Sequence, residues 1–152
     1  MISILKDSMS LINLGIPSLP KELQSLGGGA QLPNGDLLIS GGGPFSIWND
    51  ISHEYFHYKD GSNQWGKVGT MKRARFGHSS ILIDGNLLTT GGRYFDSSSK
   101  LLSNHEEFSI NGGVKERTNM PIALQSHAAA VFGKDTILIS GGIDAKVNET
   151  FS

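Results

Sequence analysis

The chain has 152 residues, 20 of them glycine and 5 proline, so roughly one position in six punctuates the backbone and turns must be frequent. Lysine plus arginine number 13 against 14 for aspartate plus glutamate; a net charge of −1 leaves no basic excess to neutralise phosphates, which argues against nucleic acid as a partner. The absence of cysteine excludes disulfides, thiolate zinc sites, a cysteine nucleophile and iron–sulfur ligation, and no run reaches the ~18 apolar residues of a membrane-spanning helix.

At the N-terminus, Met1 to Asp7 lacks the basic segment and continuous apolar core of a secretory signal, so a cytoplasmic location and no membrane partner are expected. Ile2 to Leu5 and Met9 to Asn13 read as two strands split by Lys6-Asp7-Ser8, and the Ile16-Pro17 and Leu19-Pro20 steps lead onward. From about Leu26 a pattern begins. The turn Asn34-Gly35-Asp36 precedes Leu37-Leu38-Ile39-Ser40-Gly41-Gly42. Asx-Gly between apolar runs signals a hairpin, because both central residues of a type I′ turn need positive φ. A polar loop, Gly43 to Ser52, leads to Glu54-Tyr55-Phe56, read as a third strand; a turn over 59–63 and a fourth strand with Trp65 follow, Met71 lying six residues beyond the tryptophan.

The next 50 residues repeat this order. Arg75-Phe76-Gly77-His78 opens an apolar strand to Ile83, Asp84-Gly85-Asn86 turns, and Leu87-Leu88-Thr89-Thr90-Gly91-Gly92 returns. The loop Arg93 to Asn104, then Glu106-Glu107-Phe108, the turn Asn111-Gly112-Gly113, Val114 and Met120 complete the copy. A third copy runs through His127 to Phe132, Gly133-Lys134-Asp135 and Ile137-Leu138-Ile139-Ser140-Gly141-Gly142, with a loop from Ile143 to Lys146 and Glu149-Thr150-Phe151. The three Gly-Gly pairs fall at 41, 91 and 141, a constant spacing of 50. Four short strands per period, with no helical periodicity, describe an all-β chain of antiparallel four-stranded sheets.

This order of Arg-Phe-Gly-His, apolar strand, Asp-Gly turn, second strand ending in Gly-Gly, variable loop, Glu-x-Phe and Trp resembles the Kelch repeat, whose period is near 50. The resemblance covers about Leu26 to Ser152. Departures are Val114 at the tryptophan position, Gly27-Gly28 and Ser126-His127 at the Gly-His pair, and Leu124 in place of Arg75. The resemblance implies a Kelch-type β-propeller, here about three blades in a partial or open ring, since closed propellers have about 4 to 8. The implied divisions are 1–26 as the end of a preceding blade, 27–76 and 77–125 as full repeats and 126–152 as an incomplete third. Self-association to complete the ring is one expectation that follows.

His53-Glu54-Tyr55-Phe56-His57 matches the H-E-x-x-H pattern of zinc proteases, in which both histidines lie on one helix face. On a strand they stand about 13 Å apart and cannot share a metal. His53-Glu54 and Phe56 also recur as His105-Glu106 and Phe108, a repeat explanation, so neither a metal site nor another cofactor is expected. His78 and His127, at one repeat position, are expected to be structural, bonding a neighbouring blade; Trp65 is expected to pack between blades. Lys72-Arg73-Ala74-Arg75 reads as the repeat's arginine beside a solvated turn.

Function is sought in the loops after the Gly-Gly pairs, because a repeat scaffold leaves binding to its connections. They offer Phe45, Trp48 and Tyr94 as aromatic anchors and Asp50, Arg93 and Asp96 as polar partners. The resemblance implies a non-enzymatic protein-interaction module binding a protein partner through one face, as a substrate adaptor or cytoskeletal binder. The competing expectations are a fragment of a Kelch-type sugar-active enzyme, epimerase-like because a copper-radical oxidase needs a cysteine-linked tyrosine, or a truncated paralogue without activity.

Overall fold

A computed structural model of the chain describes residues 3–6, 10–13, 17–19, 27–43, 51–95, 98–134 and 136–144. All regular structure among them is β. Strands β1 (Ser3–Lys6) and β2 (Ser10–Asn13) form an antiparallel hairpin. Strands β3 (Gly28–Gln31), β4 (Leu37–Ser40), β5 (Glu54–Tyr58) and β6 (Trp65–Thr70) follow one another across a first four-stranded antiparallel sheet. The second sheet holds β7 (Ser79–Ile83), β8 (Asn86–Thr90), β11 (His105–Ser109) and β12 (Gly113–Arg117). Between its middle strands, β9 (Arg93–Phe95) and β10 (Ser99–Leu101) pair as a small hairpin where the sequence reads as a variable loop. A last hairpin joins β13 (Gln125–Phe132) and β14 (Thr136–Ile143). The Glu149-Thr150-Phe151 strand expected from the sequence lies outside the described residues.

Each repeat opens with a hairpin, and in the second the turn is type I′: Asp84 and Gly85 have φ of 49° and 79°. In the first repeat Pro33 fixes its own φ near −65°, so the turn starts there instead. The Gly35 N–H donates to Leu32 O at 3.0 Å, Leu32 N–H donates to Asp36 O at 2.8 Å, and only Gly35 is left-handed.

The register of the third strands corrects the Glu-x-Phe equivalence. Gly41 N–H donates to Glu54 O and Gly91 N–H to Asn104 O, while Leu37 pairs with Tyr58 and Leu87 with Phe108. Glu54 is therefore the counterpart of Asn104, Phe56 of Glu106, and Tyr58 of Phe108. A slip of two residues keeps every side chain on its own face, so the apolar alternation conceals it. Likewise Gly28 pairs with Ser40, Ser79 with Thr90 and Ala128 with Ser140, which puts Gly27, not Gly28, at the position of His78 and His127.

The sheets stack face to face through a core of Leu32, Leu38, Tyr55, Met71, Leu87 and Phe108. The Tyr55 and Phe108 rings, from successive sheets, stack at 4.3 Å. The first glycine of the first two Gly-Gly pairs sits where sheets meet. A Cβ on Gly41 would lie 2.6 Å from Arg75 O and 2.7 Å from His78 Cε1, and one on Gly91 would lie 2.6 Å from Leu124 O; both residues also have φ near +57° (56° and 58°). Beside these glycines, His78 Nε2 lies 3.1 Å from Ser40 Oγ and His127 Nε2 lies 2.6 Å from Thr90 Oγ1, so each histidine reaches back to the preceding repeat. Trp65 instead leans on Tyr58 of its own sheet, ring centres 5.4 Å apart, and donates from Nε1 to Pro17 O at 3.1 Å.

The third repeat shows the same surface uncovered. Leu38 and Leu88 are each 1% exposed, whereas Leu138 at the same position is 52% exposed, and nothing lies within 4 Å of a Cβ on Gly141.

Candidate functional site

The second Gly-Gly pair aims the chain into β9. Arg93 and Phe76 exchange both backbone hydrogen bonds, at 2.9 and 3.0 Å, which ties this strand to the approach of β7. The Phe76 and Phe95 rings stack at 6.0 Å beneath it. Opposite, β10 sets Lys100 beside Tyr94 and Leu101 beside Arg93. The hairpin is thereby held between the 71–75 connection and the end of β12.

The Tyr94 ring becomes the centre of a cationic group. The Arg73 guanidinium carbon lies 5.1 Å from the ring centroid and Lys100 Nζ 5.9 Å from it, both within reach of the ring quadrupole. Around them opens a cleft of about 840 Å³ lined by Arg73, Arg93, Tyr94, Lys100, Glu116 and Arg117 together with small polar residues. Glu116, the carboxylate of its lining, and Glu107, the partner of lining Arg117, are already engaged. Glu116 accepts from Lys72 Nζ at 2.6 Å. Glu107 accepts from Arg117, which holds its carboxyl below the usual range, and from Asn86 Nδ2 at 2.7 Å. By contrast Arg93 Nε is buried without an acceptor, as is the amide oxygen of Asn104 without a donor.

Below the cleft lies a buried ion pair between Arg75 and Glu106, both 0% exposed. Arg75 Nη1 also donates to Gly91 O at 3.0 Å, and Glu106 accepts from Lys72 N–H at 2.9 Å and Asn104 Nδ2 at 3.2 Å. Burial pulls the guanidinium down from its ordinary pKa and Glu106 opposes that shift. Arg75 Nε alone lacks a partner, and through its other bonds the pair ties the connection before β7 to β11.

Of the six residues singled out in the loops, Arg93 and Tyr94 come together in the cleft. Phe45, Trp48, Asp50 and Asp96 lie outside the described residues. Sequence reasoning left Arg73 in a solvated turn and did not single out Lys100 or Arg117. Only Arg73 carried a signal, as a member of the basic Lys72–Arg75 run; the others approach through sheet pairing. The H-E-x-x-H motif lies on β5 rather than on a helix, and His57 Nε2 meets Asp36 Oδ2 at 2.8 Å. Asp36 is held below its usual pKa first by the Asp60 backbone N–H and then by His57 and Asn34. Among the described residues no three His, Asp or Glu side chains gather as a metal site.

Four-stranded antiparallel sheets packed face to face, each clasping the one before it at a Gly-Gly pair, define consecutive blades of an open β-propeller. No family model matches the chain. It is 25% identical to human Kelch-like protein 33 over 128 residues, which cover 84% of this chain and 23% of that protein. It superposes on the structure of YjhT with a TM-score of 0.70 at 16% identity, over 88% of this chain and 38% of the other. The chain thus spans well under half of either relative. Its repeats resemble the Kelch type, and its fold is that of a partial, open β-propeller.

Proposed function

We propose that the chain is a non-enzymatic interaction module that binds a protein partner through the loop face bearing Arg93 and Tyr94. The cleft around Tyr94 carries this reading. It is an amphipathic aromatic ring flanked by arginines on a rigid sheet end, the residue types in which interface energy concentrates. The likeness to Kelch-like protein 33 supports it. Glu116 in the lining is paired with Lys72, and Glu107 with Arg117, rather than poised for proton transfer, which favours binding over acid–base chemistry. Phe45, Trp48, Asp50 and Asp96 are the further binding candidates of this reading. The test is a pull-down with the chain and with a Trp48→Ala, Arg93→Ala double variant. A partner recovered by the first and lost by the second is expected; equal recovery overturns the assignment of the face.

A further inference from the structure

Two turns of the chain carry an Asn-Gly step: Asn34-Gly35 between β3 and β4, and Asn111-Gly112 between β11 and β12. Asparagine is a thermally labile amide, and a following glycine, having no Cβ, lets its own backbone nitrogen approach the side-chain carbonyl carbon. Both asparagines are exposed, and in both turns the glycine N–H closes the bend, Gly35 onto Leu32 O at 3.0 Å and Gly112 onto Ser109 O at 3.2 Å. The side chains differ. Asn34 is clamped at both ends by Asp36: its Nδ2 donates to Asp36 Oδ2 at 2.9 Å, and its Oδ1 accepts from Asp36 N–H at 3.2 Å. Asp36 is itself anchored by the Asp60 N–H at 2.9 Å and by His57. No hydrogen bond to a described residue holds the Asn111 side chain, and Gly112 and Gly113 beyond it are exposed.

We infer that Asn111 is a site of spontaneous covalent modification, losing its side-chain amide to attack by the Gly112 nitrogen, while the Asp36 clamp protects Asn34. The Gly112 nitrogen bonds to Asn111 Cγ, the Cγ–Nδ2 bond breaks, and ammonia leaves carrying the Gly112 proton. Water then opens the cyclic imide at either carbonyl. One product is aspartate; the other is isoaspartate, in which the main chain runs through the former side chain. No electrons are exchanged, and water is the only co-reactant. Either product adds one negative charge. Isoaspartate also lengthens by one methylene a turn whose flanking pairs, Ser109 with Gly113 and Phe108 with Val114, adjoin the ring of Phe108 stacked on Tyr55.

The full chain, incubated folded at neutral pH and body temperature, is tested by mass spectrometry of its tryptic peptides Glu22–Lys59 and Leu101–Lys115. Asn111 should convert about tenfold faster than Asn34, the scale of releasing a clamp of one to two hydrogen bonds. Isoaspartate should outnumber aspartate among its products. In urea beyond the unfolding transition, where the clamp is gone, the two rates should converge. Gly112→Ala sets a methyl beside the attacking nitrogen. Gly112 has no positive φ, and the new Cβ would stand 3.4 Å from Ser109 Cβ, an ordinary contact, so the variant should fold and slow Asn111 several-fold while leaving Asn34 unchanged. Thermal unfolding checks it; should it not fold, the comparison of folded and urea-unfolded chain decides. Asn34 converting as fast as Asn111 in the folded chain, a rate difference that persists undiminished in urea, aspartate as the sole product, or no slowing in folded Gly112→Ala overturns the inference.

Discussion

His78 carries the contact between the two full blades as a neutral imidazole. Burial, and then the nearby Arg75 charge, push its pKa down to about 3, and burial lowers His127 and His105 as well. In the unfolded chain a histidine protonates near 6.5, so the unfolded state takes up the proton first and stability falls as pH drops from about 6.5 toward 3. Each buried histidine can contribute a slope of up to about 1.4 kcal/mol per pH unit. The urea midpoint should therefore fall between pH 7 and pH 5, a window above the titration of the lowered carboxylates Asp36 and Glu107. His78→Gln should flatten that dependence, and an unchanged profile would show that His78 is not its source. The structural role of this histidine was legible because it recurs at a repeat position beside an apolar strand. Arg93 and Tyr94 were legible as an arginine–aromatic pair after a Gly-Gly. The approach of Arg73 and Lys100 was not, because only the folding of the 71–75 connection and of β10 onto β9 brings them to the same ring.

At the scale of the element, one position in the second strand of each hairpin gives an internal comparison. Leu88 is packed by the next blade, whereas Leu138 occupies the same place with half its surface in water. Leu88→Ala should cost about 2–5 kcal/mol through lost burial and the cavity left behind, and Leu138→Ala under about 0.5 kcal/mol. Denaturant titration of both variants measures the difference; equal costs would mean that the β13–β14 hairpin is covered in solution. Strand existence and order were readable here because Gly-Gly and apolar strands mark the opening hairpin of every repeat, with Asx-Gly added in the first two. The pairing of third strands was not, since Glu54 and Glu106 look equivalent and a two-residue slip leaves the buried face unchanged. The β9–β10 hairpin escaped notice because Arg93–Phe95 and Ser99–Leu101 are each only three residues long, too short for period two to show.

Across the whole molecule, contacts run mainly from each blade to the next, so stability accumulates along the array rather than around one centre. Opening should start at the least covered blade face, that of Leu138 and Gly141. In native-state hydrogen exchange, amides of β14 should exchange well before those of β4 and β8, and uniform protection would contradict a one-dimensional array. The backward reach of the histidines also gives the array a polarity. Each full repeat offers a hydroxyl socket, Ser40 or Thr90, to the repeat behind it, and His78 or His127 is the plug that fills it. Gly27 leaves the first blade with a socket and no plug, while residues 77–126 carry both. A tandem duplication of that middle segment would meet a matching surface on either side. The array can therefore lengthen from within by copying its central unit, each added blade being recognised by the one it follows.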